Sequence, residues 1–270
     1  MRIACAQILS GTDPTANLTL VADYTRRAAD AGARLVVFPE CTMCRFGVPL
    51  APVAEPIDGR WADGVRRIAA DAGITVFAGM FTPAADGRVT NTVLATGGGV
   101  EDRYDKIHLF DAFGFTESAT IAPGHRPVVV RIDGIGVGIT LCYDIRFPTL
   151  YTDLADLGAS VITVSASWAA GPGKLEQWAL LARARALDST CFVAAAGQAD
   201  PGPHTTAPAK AATAPTGVGG SLISSPLGAV LASAGAEPTL LVCDVDTDSV
   251  AGVREVLPVL RNRFTDRSQR

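Results

Sequence analysis

The sequence predicts an α/β layered fold, and three observations point to it. A unit recurs in which an amphipathic helix runs into an Asp-x-Gly break and then a short apolar strand. The strands of these units are nearly continuous hydrophobic runs, the pattern of strands covered on both faces. Between the units, glycine-marked turns join pairs of β-rich runs, as hairpins do.

Taken in order, Ile3–Ile8 reads as a first strand after a single basic residue. Leu18, Val21, Ala22, Thr25 and Ala28 then fall on one helical stripe. Asp30-Ala-Gly32 closes that helix, glycine suiting the left-handed residue of a helix end, and Arg34–Phe38 follows as a strand. Trp61, Val65, Ile68, Ala69 and Ala72 make the second stripe, before Asp71-Ala-Gly73 and a strand over Ile74–Met80. Asn91–Ala95, the turn Gly97–Gly99 and Glu101–Ile107 read as an antiparallel pair. Pro127–Ile132 and Gly136–Leu141 read as a second pair about Asp133-Gly134. Helices are expected over Thr149–Leu157 and Lys174–Leu187, and a third unit passes through Asp156-Leu-Gly158 to Ser160–Val164. A fourth break, Asp188-Ser-Thr190 before Cys191–Ala195, lacks the glycine. Ala199–Gly220, with Pro201, Pro203, Pro208 and Pro215, reads as a surface loop, and strand-like Gly220–Ile223 follows it directly. The 270 residues are therefore read as one domain, with a core over about 3–264 and a tail at 265–270.

Composition narrows the function classes. The chain is 48% hydrophobic and 19% charged, enough to fill a sizeable core. A net charge of -4 with scattered basic residues argues against nucleic acid. The longest apolar stretch, Pro127–Cys142, is broken by Arg131 and Asp133 before the ~20 residues a membrane span needs. The N-terminus does not read as a signal peptide, so a cytoplasmic protein with reduced cysteines is expected.

Three residues stand where strand-like runs give out: Glu40 after Leu35-Val-Val-Phe-Pro, Lys106 in Tyr104-Asp-Lys-Ile-His108, and Cys142 in Leu141-Cys-Tyr-Asp-Ile-Arg-Phe-Pro148. A thiol, a carboxylate and an ammonium together can supply a nucleophile, its base and an oxyanion stabiliser. Cys142 lies on a strand-to-helix turn, which holds a nucleophile clear of the sheet. Read singly, the three admit plain alternatives: a buried structural cysteine, a loop glutamate and a surface lysine.

The three frames, in this order, resemble the nitrilase (carbon–nitrogen hydrolase) superfamily from Ile3 to about Phe264. The similarity is strongest to the Nit-type amidases, which include deaminated-glutathione amidase and omega-amidase. The resemblance implies a four-layer α-β-β-α sandwich, with two central mixed sheets flanked by helices. It implies Glu40 as general base, Cys142 as the nucleophile that forms a thioester, and Lys106 with the Tyr143 amide holding the oxyanion. Lys106 is also expected to lower the pKa of Cys142. Glu117, 11 residues after Lys106, resembles an auxiliary family glutamate that positions substrate or the lysine, on a shorter connection than in the animal Nit proteins. Arg146 and Trp168 are candidate substrate-binding residues, although Arg146 also suits a partner for Asp144 and Trp168 a core aromatic.

The implied activity is a cofactor-independent and metal-free cysteine amidase, using water to release ammonia from a small carboxylated amide. A nitrilase, an N-carbamoyl amino acid amidohydrolase or a silent binding protein on the same fold remain open. The chain is short for true nitrilases. Cys41-Thr-Met-Cys44 matches C-x-x-C but has no second pair, so two thiols in a loop beside the site is the better reading than zinc or redox chemistry. A Cys–His hydrolase is disfavoured because neither His108 nor His125 has an evident Asn or Asp partner; both read as structural. Gly134-x-Gly136-x-Gly138 opens no helix and reads as a close-packed strand rather than a nucleotide loop. A homodimer or higher homo-oligomer is expected through the helices after Cys142, with Leu175, Trp178, Leu181, Ala182 and Leu187 as apolar surface.

Overall fold

The computed structural model describes residues 1–202 and 214–264. Pro203, Pro208 and His204 of the expected loop, and the 265–270 tail, lie outside the described residues.

The first half of the chain builds one sheet and its helices. Strand β1 (Arg2–Gln7) leads into helix α1 (Pro14–Asp30), then β2 (Leu35–Val37), α2 (Arg60–Ala72) and β3 (Thr75–Pro83). The hairpin β4 (Val89–Gly97) and β5 (Val100–Asp105) follows, then the short β6 (Ile121–Ala122). The second half begins with β7 (Val128–Ile132) and β8 (Ile135–Leu141), followed by α3 (Pro148–Asp156), β9 (Val161–Ala166), α4 (Lys174–Ser189) and β10 (Phe192–Gly197). It ends with β11 (Leu222–Ser224), β12 (Val230–Ser233), β13 (Thr239–Asp244), α5 (Ser249–Val256) and α6 (Val259–Asn262).

These strands form two mixed sheets, ordered β13-β1-β2-β3-β4-β5 (with β6 on β4) and β12-β11-β10-β9-β8-β7. In each, parallel neighbours occupy the middle (β1-β2-β3 and β8-β9-β10) and antiparallel hairpins the flanks. Side-chain alternation explains the layering. Ile3 and Cys5 of β1 point into a core shared with Ile139, Leu141 and Ala194 of the other sheet. Ala4 and Ala6 point the other way, against Val21 of α1 and Val65 of α2. On the far side, Ile162 and Val164 of β9 meet Leu154 of α3 and Trp178 of α4. Both faces of the central strands are therefore dry, which is why these strands read as unbroken apolar runs. The result is the four-layer α-β-β-α sandwich.

The repeated breaks work as anticipated, with one difference. Gly32, Gly73 and Gly158 all carry positive φ, and so does Thr190, which stands where the fourth unit lacks its glycine. Buried Thr190 is held there by a hydrogen bond donated from Arg254 Nε, 3.1 Å from its hydroxyl. Gly136 and Gly138 are packing residues: a β-carbon at Gly136 would lie 2.0 Å from the Gly158 carbonyl. Two expectations for α4 need correcting. Trp178 and Ala182 are fully buried in the subunit's own core, whereas Leu175, Leu180 and Leu187 form the exposed apolar face. No helix among the described residues is long and apolar enough to cross a membrane.

Candidate active site

Glu40, Lys106, Cys142 and Ser167 each follow the carboxyl end of a strand: β2, β5, β8 and β9. Two of these strands belong to each sheet, so the layered packing brings all four residues to one end of the sandwich. They line one cavity of about 660 Å³.

Glu40 is fully buried and held from four directions. Its Oε1 accepts from Asn91 Nδ2 at 2.8 Å and from Lys106 Nζ at 3.0 Å. Its Oε2 accepts from the Ser167 amide at 2.9 Å, and its backbone carbonyl from Gln198 Nε2 at 3.0 Å. Gly79 of β3 makes room for this turn, because a β-carbon there would meet the Pro39 carbonyl at 2.7 Å. Cys41, next in the chain, is buried at positive φ, and Cys44 is buried nearby, so both thiols of the C-x-x-C match are shut away from solvent.

Lys106 is not a surface lysine; it is 2% exposed. Its ammonium lies 3.0 Å from Glu40 Oε1 and 3.0 Å from both oxygens of Glu117. Burial alone would pull its pKa down, but Glu40 and Glu117 overturn that and hold it well above the ordinary lysine value. Glu117 begins a single 3₁₀ turn (Glu117–Ala119), and its Oε2 also accepts from the Phe110 amide at 2.6 Å. Despite the short connection, then, Glu117 reaches the lysine.

Cys142 opens a 3₁₀ turn (Cys142–Arg146) at φ +43°, a left-handed conformation that costs a non-glycine residue on the order of 1–3 kcal/mol. Its Sγ lies 3.8 Å from the Ser167 carbonyl and faces Glu40. The expectation that Lys106 lowers the thiol's pKa is corrected in sum. Burial, then the Glu40 charge, push the thiol well up, and Lys106 pulls down against them without prevailing. One cation and two carboxylates leave the floor of the cavity net negative, which opposes a further anion on sulfur.

The remaining candidates lie higher in the cavity or outside it. Trp168 is both things expected of it: buried against Trp178 at 5.5 Å between ring centres, and a wall of the cavity. Arg146 lies over the Trp168 ring at 5.1 Å and donates to Gln177 Oε1 at 2.9 Å. It does not pair with Asp144, whose oxygens are taken by other donors. The Tyr143 ring lines the cavity and meets Phe110 edge-on at 5.0 Å. The histidines differ from expectation: His125 is exposed, while His108 Nδ1 does have a carboxylate partner, Asp144 Oδ1 at 2.7 Å. The sequence reading missed Asn91, Ser167 and Gln198, which position Glu40. Their only sequence signal is a polar residue within or just after an apolar strand.

The carbon–nitrogen hydrolase family model matches residues 2–255. The chain belongs to that family, the nitrilase superfamily. This hydrolase therefore acts on carbon–nitrogen bonds other than peptide bonds. It is 66% identical over 267 residues to a Mycobacterium tuberculosis protein described only as a hydrolase, covering 97% of this chain and 95% of that one. It is 31% identical over 268 residues to the deaminated glutathione amidase of Escherichia coli O157:H7, covering 97% of each. Among solved structures, the amidase of Nesterenkonia sp. AN1 superimposes with TM-score 0.77 at 27% identity, over 96% of this chain and 98% of that one. A glutamate-to-glutamine mutant of that amidase carries acrylamide joined by Michael addition to its active-site cysteine.

Proposed function

We propose that this hydrolase is a cysteine amidase that cleaves a small carboxylated amide through a thioester on Cys142. The observation that carries the reading is the junction at Lys106. One buried ammonium touches both Glu40 and Glu117, in the same cavity where the Cys142 thiol faces Glu40.

The electrostatics suggest how the steps are coupled. With the thiol held protonated, attack on the amide carbon and proton transfer to Glu40 go together, since neutralising Glu40 removes a charge that opposes the thiolate. The carbonyl oxygen becomes an oxyanion beside Lys106 and the Tyr143 amide, and the leaving nitrogen takes the proton from Glu40 and departs as ammonia. Glu40 then draws a proton from water, whose oxygen attacks the thioester and frees the acid and the thiol. Glu117 holds the lysine and the incoming amide in place. Every group this scheme needs is a side chain or backbone amide, with no cofactor or metal.

The carboxylated class is supported by the cavity's upper wall. Among the described residues, Arg146 makes no ion pair, and its planar guanidinium suits a carboxylate. An ammonia-release screen over half-amides of dicarboxylic acids, N-carbamoyl amino acids and simple nitriles tests this. Turnover confined to the half-amides is expected; preference for nitriles or carbamoyl compounds overturns the amidase assignment, and no turnover of any class favours a binding protein. We further infer at least a homodimer, supported by Leu175, Leu180 and Leu187 exposed on α4. Sedimentation showing a stable monomer at micromolar concentration refutes it.

A further inference from the structure

We propose that Asp144 is a positioning residue that fixes the Lys106 ammonium against the Cys142 sulfur, by clamping the backbone around the lysine to the turn that carries the cysteine. The proposal deepens the reading of Lys106 and Cys142 as catalytic partners and rests on it.

Asp144 is fully buried, and both its oxygens are committed. Oδ1 accepts from the His108 backbone amide at 3.0 Å and lies 2.7 Å from His108 Nδ1. Oδ2 accepts from the Tyr104 hydroxyl at 2.7 Å and from the Leu141 amide at 2.9 Å. The placement of the donors carries the argument. Tyr104 and His108 stand two residues before and two residues after Lys106, whereas Leu141 and Asp144 itself enclose Cys142. Tyr104 belongs to the first sheet and Leu141 to the second. One carboxylate therefore spans the gap between the sheets at the point where the two reactive groups must meet.

A second layer reinforces the clamp. The His108 ring stacks on Phe147 at 3.7 Å between centres and 8° between planes. Phe147 and Phe110 each meet the Tyr143 ring edge-on, at 5.3 Å and 5.0 Å. Tyr143 within the cysteine turn and Phe147 just after it are thus packed against His108 and Phe110 beside the lysine. The left-handed backbone of Cys142 is strained, and such a conformation persists only where its surroundings over-determine it. Asp144 supplies that constraint through the Leu141 amide. Tyr104 is a dependable donor in the clamp, because burial and the Asp144 charge hold its phenol well above its ordinary pKa.

A carboxylate that merely holds the fold together predicts something different from one that sets a reactive geometry. Among the described residues, the charged and titratable groups that act on the Cys142 thiol are Glu40, Lys106, Glu117, Cys41 and Tyr151, and of these only Lys106 favours the thiolate. Loosening the clamp lets the ammonium drift from the sulfur and moves the thiol's ionisation to higher pH. Loss of stability alone does not do this in the folded protein, and local opening of the site exposes the thiol and speeds its reaction.

The test is iodoacetamide alkylation of Cys142 as a function of pH, in the full chain, well below the melting temperature of each variant. Asp144→Asn keeps the Oδ1 acceptor and replaces the Oδ2 acceptor with an amide. Its alkylation at neutral pH should slow by about tenfold, one pKa unit, with the profile displaced upward. With succinamate as probe, kcat should fall on the order of 10²-fold, the cost of a small misplacement, with KM little changed. Tyr104→Phe removes one donor from the clamp and should fall between wild type and Asp144→Asn. If Asp144→Asn fails to fold, the Tyr104→Phe alkylation profile decides alone. Folded variants with a wild-type or faster alkylation profile overturn the proposal, whatever their melting temperatures. The alkylation arm needs no substrate: if the wild-type enzyme leaves succinamate untouched, the substrate class fails while the Asp144 result stands.

Discussion

The floor of the cavity and its rim are built on opposite principles. On the floor, Glu40 and Lys106 are sealed from solvent, and one ammonium lies 3.0 Å from each of two carboxylates. At the rim, Lys174 lies over the Phe113 ring at 4.6 Å and Arg146 over Trp168 at 5.1 Å, cations resting on aromatic faces. Phe113 is 79% exposed and itself at positive φ. Buried ion pairs add little net stability, and breaking one by removing a single partner costs roughly 3–5 kcal/mol. Cation–π contacts at exposed sites are worth only about 0.5–1 kcal/mol. The floor therefore has one arrangement, while the rim can give way to an incoming anion. On the proposed reading, the first region does the chemistry and the second recognises the substrate.

Substitutions in the two regions should separate in size and in kind. The largest effect belongs to Cys142→Ala, which removes the proposed nucleophile. Turnover should vanish while circular dichroism and melting temperature stay near wild type, and a variant with normal activity sinks the mechanism. Glu117→Gln comes next. It leaves Lys106 its contact with Glu40, which keeps the ammonium beside the sulfur, but removes the group proposed to hold the incoming amide, so kcat should fall on the order of 10²-fold. Cys142 alkylation should change little, because Glu117 acts on the thiol more weakly than burial, Glu40 or Lys106. If both rates remain at wild type, Glu117 has no part in turnover and the floor is a triad. The smallest effect is expected at the rim: Arg146→Ala should raise KM about tenfold, roughly 1.4 kcal/mol, with kcat nearly unchanged. A drop in kcat with KM unchanged would move Arg146 from recognition to chemistry and erase the distinction between the regions.

The same two regions differ in how much of them the sequence disclosed. Glu40, Lys106 and Cys142 were legible because each stands just past a strand within a distinctive local frame, and strand ends in a layered sheet converge. An α/β layered fold was legible for a related reason, since Ile3–Ile8 and Ser160–Val164 are apolar on both faces and must be covered on both. The four-layer α-β-β-α arrangement came from the family resemblance alone. What escaped was the support. Asn91, Ser167 and Gln198 reach Glu40 across 51 to 158 residues of chain, and no local spacing encodes a contact of that length. Asp144 escaped because two of its partners, Tyr104 and His108, lie 40 and 36 residues away in the chain, although it stands two residues from the proposed nucleophile. The pull of Lys106 on the Cys142 thiol was read correctly, but the net upward direction of its ionisation was not legible, for a similar reason. Lys106 was visible as a neighbour, but the depth of burial and the aim of the Glu40 carboxylate belong to the tertiary structure.

The central claim is that Glu40 moves the protons while Cys142 carries the acyl group, and Glu40→Gln separates those two jobs. Removing the charge next in importance after burial leaves Lys106 less opposed, so thiol alkylation should shift to lower pH even as turnover collapses. Without Glu40 both steps slow. The favoured thiolate can still acylate, with solvent protonating the leaving nitrogen. Deacylation, which needs a base to activate water, should be slower still, so the acyl-enzyme accumulates. Mass spectrometry of the Glu40→Gln protein incubated with a half-amide that the wild type hydrolyses is the direct measurement. The account predicts a mass increase equal to the acyl group, placed on Cys142 by peptide mapping and released by hydroxylamine. An unmodified Cys142 in a Glu40→Gln protein that still turns the amide over, or an acyl group found on any other residue, would contradict it.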